Sequence, residues 1–148
     1  MLSLLTVDRI ICRRSAEDWE SAIRLAASPL IACGAATEEY AEAMVRSVRE
    51  HGPYIVIDDG LALPHARPED GARRLCMAML LLKEPVDMLG RPVRVLAALA
   101  ATDGKAHIEA MRELAELVWS GCGAAVLAEA DTPAEAAEII NRYGKEGA

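Results

Sequence analysis

The chain has 148 residues, a net charge of −7, and apolar residues at 53% with no phenylalanine. Such a length suits one compact domain, spanning 1–148, with an aliphatic core in which methionine fills gaps. The acidic balance repels nucleic acid and anionic membrane surfaces and argues against both as partners.

The opening MLSLLTVDRIICRR carries too short an apolar run for a secretory signal, and its basic residues follow that run. No charge-free apolar stretch is long enough to cross a bilayer. Cys12, Cys33, Cys76 and Cys122 are widely spaced, without a CxxC or a zinc-type cluster. They read as reduced thiols of a cytoplasmic protein. IICRR reads as a short strand. Ser15 offers a cap to a helix over AEDWESAIRLAASPLIACG, whose Trp19, Ile23, Ala26, Ala27 and Leu30 fall at helical spacing. Pro29 threatens its last turn and Gly34 can end it. Thr37 caps a second helix with Glu38 and Glu39 in the favourable first turn. Tyr40, Met44, Val45 and Val48 mark its buried face, and Gly52-Pro53 stops it. YIVI, residues 54–57, reads as a strand that turns through Asp58, Asp59 and Gly60 into LALPH.

The runs LCMAMLLL (75–82) and VRVLAALAA (93–101) are nearly continuous in apolar residues, the pattern of central strands buried on both faces. A helix is expected from Lys105 to Trp119 and a short one over 124–130. A last helix starts at Thr132-Pro133, with Glu135 three residues past the cap. Strands mixed with helices imply a three-layer α/β/α sandwich around a mixed central sheet.

Three histidines carry most of the available chemistry. His65 ends LALPH, and His107 lies six residues past the apolar run that closes at Ala101. Both therefore stand just beyond strand ends, where ligands collect in open α/β sheets. Pro64 fixes its own φ and biases Leu63 toward an extended conformation, which would hold His65 stiffly. A neutral imidazole is a competent nucleophile near pH 7. Spacing alone leaves a satisfied structural histidine open at both positions.

The stretch EHGPYIVIDDGLALPHARPEDG resembles the active-site segment of the phosphotransferase-system enzyme IIA components of the mannitol/fructose superfamily, and of their ascorbate-type branch most of all. AALAATDGKAHIEAM resembles the family's second motif, and TEEYAEAMVRSVREHGPY its approach to the active site. The resemblance covers nearly the whole chain. It implies that His65 accepts a phosphoryl group and that His107 is the neighbour stabilising it. It also implies a mixed α/β/α fold and no tightly bound cofactor or metal. The donor it implies is the phosphorylated histidine-containing phosphocarrier protein, and the acceptor is the cysteine of an enzyme IIB component. The transported sugar would be ascorbate-like or pentitol-like. A regulatory, nitrogen-type role that senses phosphorylation state is the alternative, and a metal-dependent hydrolase using His65, His107 and Asp103 a remote one. Association as a homodimer stays open.

The mannitol-type branch carries an arginine in the helix before the active site, about where this chain has Ser47. Arg46 is adjacent but is expected to point elsewhere, because helix neighbours lie about 100° apart. Arg67 is the better candidate for a nearby positive charge. Asp103 could orient a histidine N–H or cap the Lys105 helix. His51 reads as a helix-end histidine. Glu38-Glu39 and Glu69-Asp70 read as surface or capping groups. The expected mechanism has neutral His65 attack through one ring nitrogen, the other N–H being held by a backbone carbonyl. An apolar rim of Leu61, Leu63 and Pro64 would help exclude water.

Overall fold

The computed structural model describes residues 4–146; the first three residues of the opening segment and the last two of the chain lie outside them. Strand β1 (Ile10–Arg13) is followed by helices α1 (Trp19–Ala32) and α2 (Glu38–His51). The short strands β2 (Val56–Asp58) and β3 (Gly60–Ala62) come next, then the long strands β4 (Cys76–Met88) and β5 (Arg91–Ala100). Helices α3 (Gly104–Trp119), α4 (Ala124–Leu127) and α5 (Pro133–Glu146) complete the order.

The five strands form one mixed sheet in the order β1-β4-β5-β3-β2. β4 and β5 are antiparallel to one another, and each has a parallel neighbour on its other side, β1 and β3 respectively. The two apolar runs are the centre of the sheet for a simple reason. Side chains alternate between faces along a strand. Ala78, Leu80 and Leu82 of β4, with Leu96, Ala98 and Ala100 of β5, pack under α1 and α2. Met77, Met79 and Leu81, with Val95, Ala97 and Leu99, pack against Leu114 and Leu117 of α3, Leu127 of α4 and Ile140 of α5. A strand buried on both faces needs apolar residues at every position, since each large aliphatic side chain removed from water contributes about 1.5–3 kcal/mol. The result is the expected three-layer α/β/α arrangement.

Local chemistry shifts several boundaries. Helix α1 starts at Trp19 rather than beside Ser15, because the Asp18 carboxylate accepts from the Ser21 N–H at 2.7 Å and caps the helix there. Pro29 sits inside α1 without ending it. Proline supplies no N–H for the Leu25 carbonyl, and the Ser28 hydroxyl donates to that carbonyl instead at 2.7 Å. The end comes at Gly34, φ +78°, where Gly34 N–H bonds Ile31 O and Ala35 N–H bonds Leu30 O. These are the two bonds of a Schellman closure. The strand expected over 54–57 is displaced to Val56–Asp58. Tyr54 and Ile55 lie in the turn that follows Gly52-Pro53, where Val56 N–H bonds Pro53 O.

No helix of the described residues is long and apolar enough to cross a membrane.

Candidate functional site

Parallel pairing of β3 with β5 sets Leu61 opposite Val95 and Ala62 opposite Leu96, so both strands end at the same edge of the sheet. The chain leaving β3 runs through Leu63 and Pro64 to His65. The chain leaving β5 turns at Asp103 into α3, and His107 stands in that helix's first turn. Two residues 42 positions apart in sequence thereby meet: the ring centroids of His65 and His107 are 4.9 Å apart, with the planes inclined at 51°.

His65 is held at both ends of its short loop. Pro64 O accepts from the Leu99 N–H at 2.9 Å, which docks the loop on β5. The buried Tyr40 hydroxyl donates to Leu99 O at 2.9 Å and accepts from the Ala66 N–H at 3.2 Å. The His65 ring itself is oriented by its Nδ1, 2.7 Å from Leu63 O. A carbonyl can only accept, so Nδ1 carries the proton and the neutral ring keeps its lone pair on Nε2. The ring also meets Tyr54, whose ring stands at 83° to it with centroids 5.9 Å apart. Tyr54 is fixed in turn by a 2.7 Å hydrogen bond with the Ser47 hydroxyl.

His107 is half-buried. Burial, and secondarily the neighbouring His65, push its pKa below the ordinary histidine value, so the neutral ring is favoured. Asp103 caps α3, accepting from the Ala106 N–H at 2.8 Å, and so settles as a helix cap rather than a histidine orienter. The first turn of α3 thus presents the amides of Gly104 and Lys105, which have no intrahelical acceptor, beside His107. Helix N-termini of this kind favour anions.

Both histidines line a cleft of about 600 Å³, together with Tyr54, Ser47, Arg46, Glu50, His51, Arg67 and Asp70. Arg46 therefore does reach the site, contrary to the helical-wheel expectation. Ala43, Arg46, Ser47 and Glu50 form one i, i+3, i+4, i+7 stripe along α2, and that stripe borders the cleft. Arg67 lines it as well, but its guanidinium faces Asp70 at 3.4 Å and Glu69 at 3.6 Å. Leu61 and Leu63 are fully buried, and Pro64 is buried too. They belong to the interior rather than to a rim: Leu61 and Leu63 pack into the core on the α3–α5 side of the sheet, and the segment is covered on both faces. The apolar wall of the cleft is Tyr54, which is 47% exposed. His51, at the end of α2, borders the cleft beside Tyr54.

Sequence reasoning missed the roles of Tyr40, Tyr54 and Ser47 in this arrangement. One signal was available: a tyrosine on the buried face of a helix needs a partner for its hydroxyl. Among the described residues, no group of three or more His, Cys, Asp or Glu side chains is placed to hold a common metal ion.

The chain is also similar to known proteins. The family model described as "Phosphoenolpyruvate-dependent sugar phosphotransferase system, EIIA 2" matches residues 3–143. An ascorbate-specific PTS system EIIA component of Mycoplasma pneumoniae is 40% identical over 108 residues, covering 71% of this chain and 68% of that protein. A mannitol-specific cryptic phosphotransferase enzyme IIA component of Escherichia coli is 35% identical over 130 residues, covering 86% and 88%. A Streptococcus mutans chain whose crystal structure is described as that of a PTS IIA superposes with a TM-score of 0.87 at 35% identity, covering 94% of this chain and 90% of its own.

Proposed function

Because this chain belongs to the EIIA 2 family of phosphoenolpyruvate-dependent sugar phosphotransferase systems, we propose that it is a phosphocarrier that holds its phosphoryl group on Nε2 of His65. The observation that carries the proposal is the His65 Nδ1 bond to the Leu63 carbonyl, which leaves Nε2 as the free nucleophile in a cleft shared with His107.

In the first step Nε2 attacks the phosphorus of a phosphohistidine on the donor, the histidine-containing phosphocarrier protein. A new P–Nε2 bond forms as the donor's P–N bond breaks, and the electron pair returns to the donor imidazole. In the second step the thiolate of an enzyme IIB cysteine attacks the same phosphorus. The P–Nε2 bond breaks, a P–S bond forms, and His65 regains its lone pair. Phosphoryl transfer of this kind needs alignment and charge stabilisation more than covalent help. Neutral His107 can donate a ring N–H to a phosphoryl oxygen, and the first amides of α3 add further donors. Arg46 borders the cleft without an ion pair among the described residues and supplies positive charge at its α2 side. Tyr54 packs beside the His65 ring in the cleft and limits water at the labile P–N bond.

The relatives are named for ascorbate and for mannitol. We read this chain as serving uptake of an ascorbate-like or pentitol-like substrate from the cytoplasmic side, with sugar selection made by the membrane component. The test is incubation with phosphoenolpyruvate, enzyme I and the phosphocarrier protein, followed by intact mass measurement. One phosphoryl adduct, acid-labile and alkali-stable, is expected on the wild-type chain and none on His65→Ala. A labelled His65→Ala variant, or an adduct on serine, would overturn the proposal.

A further inference from the structure

Tyr40 is the third residue of α2, and its backbone N–H is 3.3 Å from the Thr37 hydroxyl that caps the helix. Its side chain is 1% exposed, yet it ends in a polar atom deep in the core. The hydroxyl meets two segments at once. One is Leu99 on β5, the strand that leads through Ala101 and the Asp103 cap to His107. The other is Ala66, the residue after His65. Burial pushes the phenol's pKa up, so it remains a donor.

We infer that Tyr40 is a positioning residue whose hydroxyl sets the spacing and orientation of His65 against His107. Two ties hold the His65 loop to β5. The Leu99 N–H bond to Pro64 O acts before the histidine, and the phenol acts after it. With the first tie alone, the backbone of His65 and Ala66 can pivot about Pro64. That pivot changes the distance from Nδ1 to Leu63 O, and with it the tautomer that frees Nε2. The Ala66 N–H also loses its acceptor and Leu99 O a donor, a cost the loop relieves by moving toward water. The inference rests on His65 being the phosphoryl carrier, but its structural half can be read without any transfer.

Tyr40→Phe keeps the ring and removes only the hydroxyl. In the unphosphorylated variant, the ¹⁵N shifts of the His65 ring should move from a single Nδ1–H tautomer toward a mixture. In transfer assays, kcat should fall about tenfold while KM for the phosphorylated donor changes less than about twofold, as expected of misalignment without lost docking. An unchanged ring signature or an unchanged kcat overturns the inference. Labelling of His65→Ala would instead sink the carrier reading and leave the ring measurement standing. Should Tyr40→Phe fail to fold, amide exchange in the wild-type chain decides. The Ala66 N–H should be strongly protected despite lying in a loop, and exchange at the rate of an open loop overturns the inference.

Discussion

At the scale of single residues, the site is two imidazoles with different tasks. His65 has its proton placed by Leu63 O, whereas His107 is a half-buried neutral ring whose proton affinity is lowered mainly by burial. Removing His107 should therefore slow transfer about a hundredfold, as loss of one charge-stabilising donor does, without preventing labelling, because the nucleophile remains; stopped-flow labelling of His107→Ala measures it. The lowered pKa also has a sign. The unfolded chain takes up this proton at about pH 6.5, and the native ring takes it up only at lower pH. Stability linked to His107 is thus complete above about pH 6.5 and is lost as pH falls through the native value. An NMR titration should find the His107 midpoint below 6.5 in the free protein. On phosphorylation of His65 the midpoint should rise, since a nearby dianion favours the charged ring. A midpoint that stays put on phosphorylation would separate His107 from the phosphoryl group.

At the scale of elements, α2 does more than cover the sheet. Its cap, Thr37, and its third residue, Tyr40, pack against Gly71, whose φ is +132°. A Cβ there would stand 2.1 Å from the Thr37 hydroxyl and 3.2 Å from Tyr40 Cβ. Gly71→Ala should destabilise the fold by about 3 kcal/mol, through the positive φ and the overlap together; chemical denaturation with an unchanged midpoint would contradict this packing. The cleft-facing stripe of α2 carries Arg46 to the site, while Arg67 is engaged by Asp70 and Glu69. Arg46→Ala should slow transfer about three- to tenfold, less than loss of a water-excluded donor because the side chain is exposed. Arg67→Ala should change the rate less. The reverse order in parallel rate measurements would return the role to Arg67.

For the whole molecule, the −7 charge bears on how partners arrive. A basic donor face would be steered toward this chain, and steering is screened by salt. Labelling at low donor concentration should slow as ionic strength rises from about 0.01 M to 0.5 M, where the screening length drops from about 30 Å to below 8 Å. A salt-independent rate would leave the acidity without a part in docking.

The sequence by itself determined the layers of this protein. The nearly continuous apolar runs at 75–82 and 93–101 carry the pattern of strands covered on both faces, and Thr37, Gly34 and Gly52-Pro53 mark helix ends through local bonds that need no distant partner. The motif around Pro64 and His65 was legible for the same reason, since its residues are contiguous. Contiguity could not reveal that β3 lies parallel to β5, which carries His65 and His107 to one edge. Nor could it reveal that Asp103 spends its carboxylate on a cap, that Arg46 borders the cleft, or that the Tyr40 hydroxyl bridges Ala66 and Leu99. Those outcomes depend on strand order and on which face of α2 meets the sheet edge. Only burying both faces of one sheet at once, a long-range packing requirement, decides either of them.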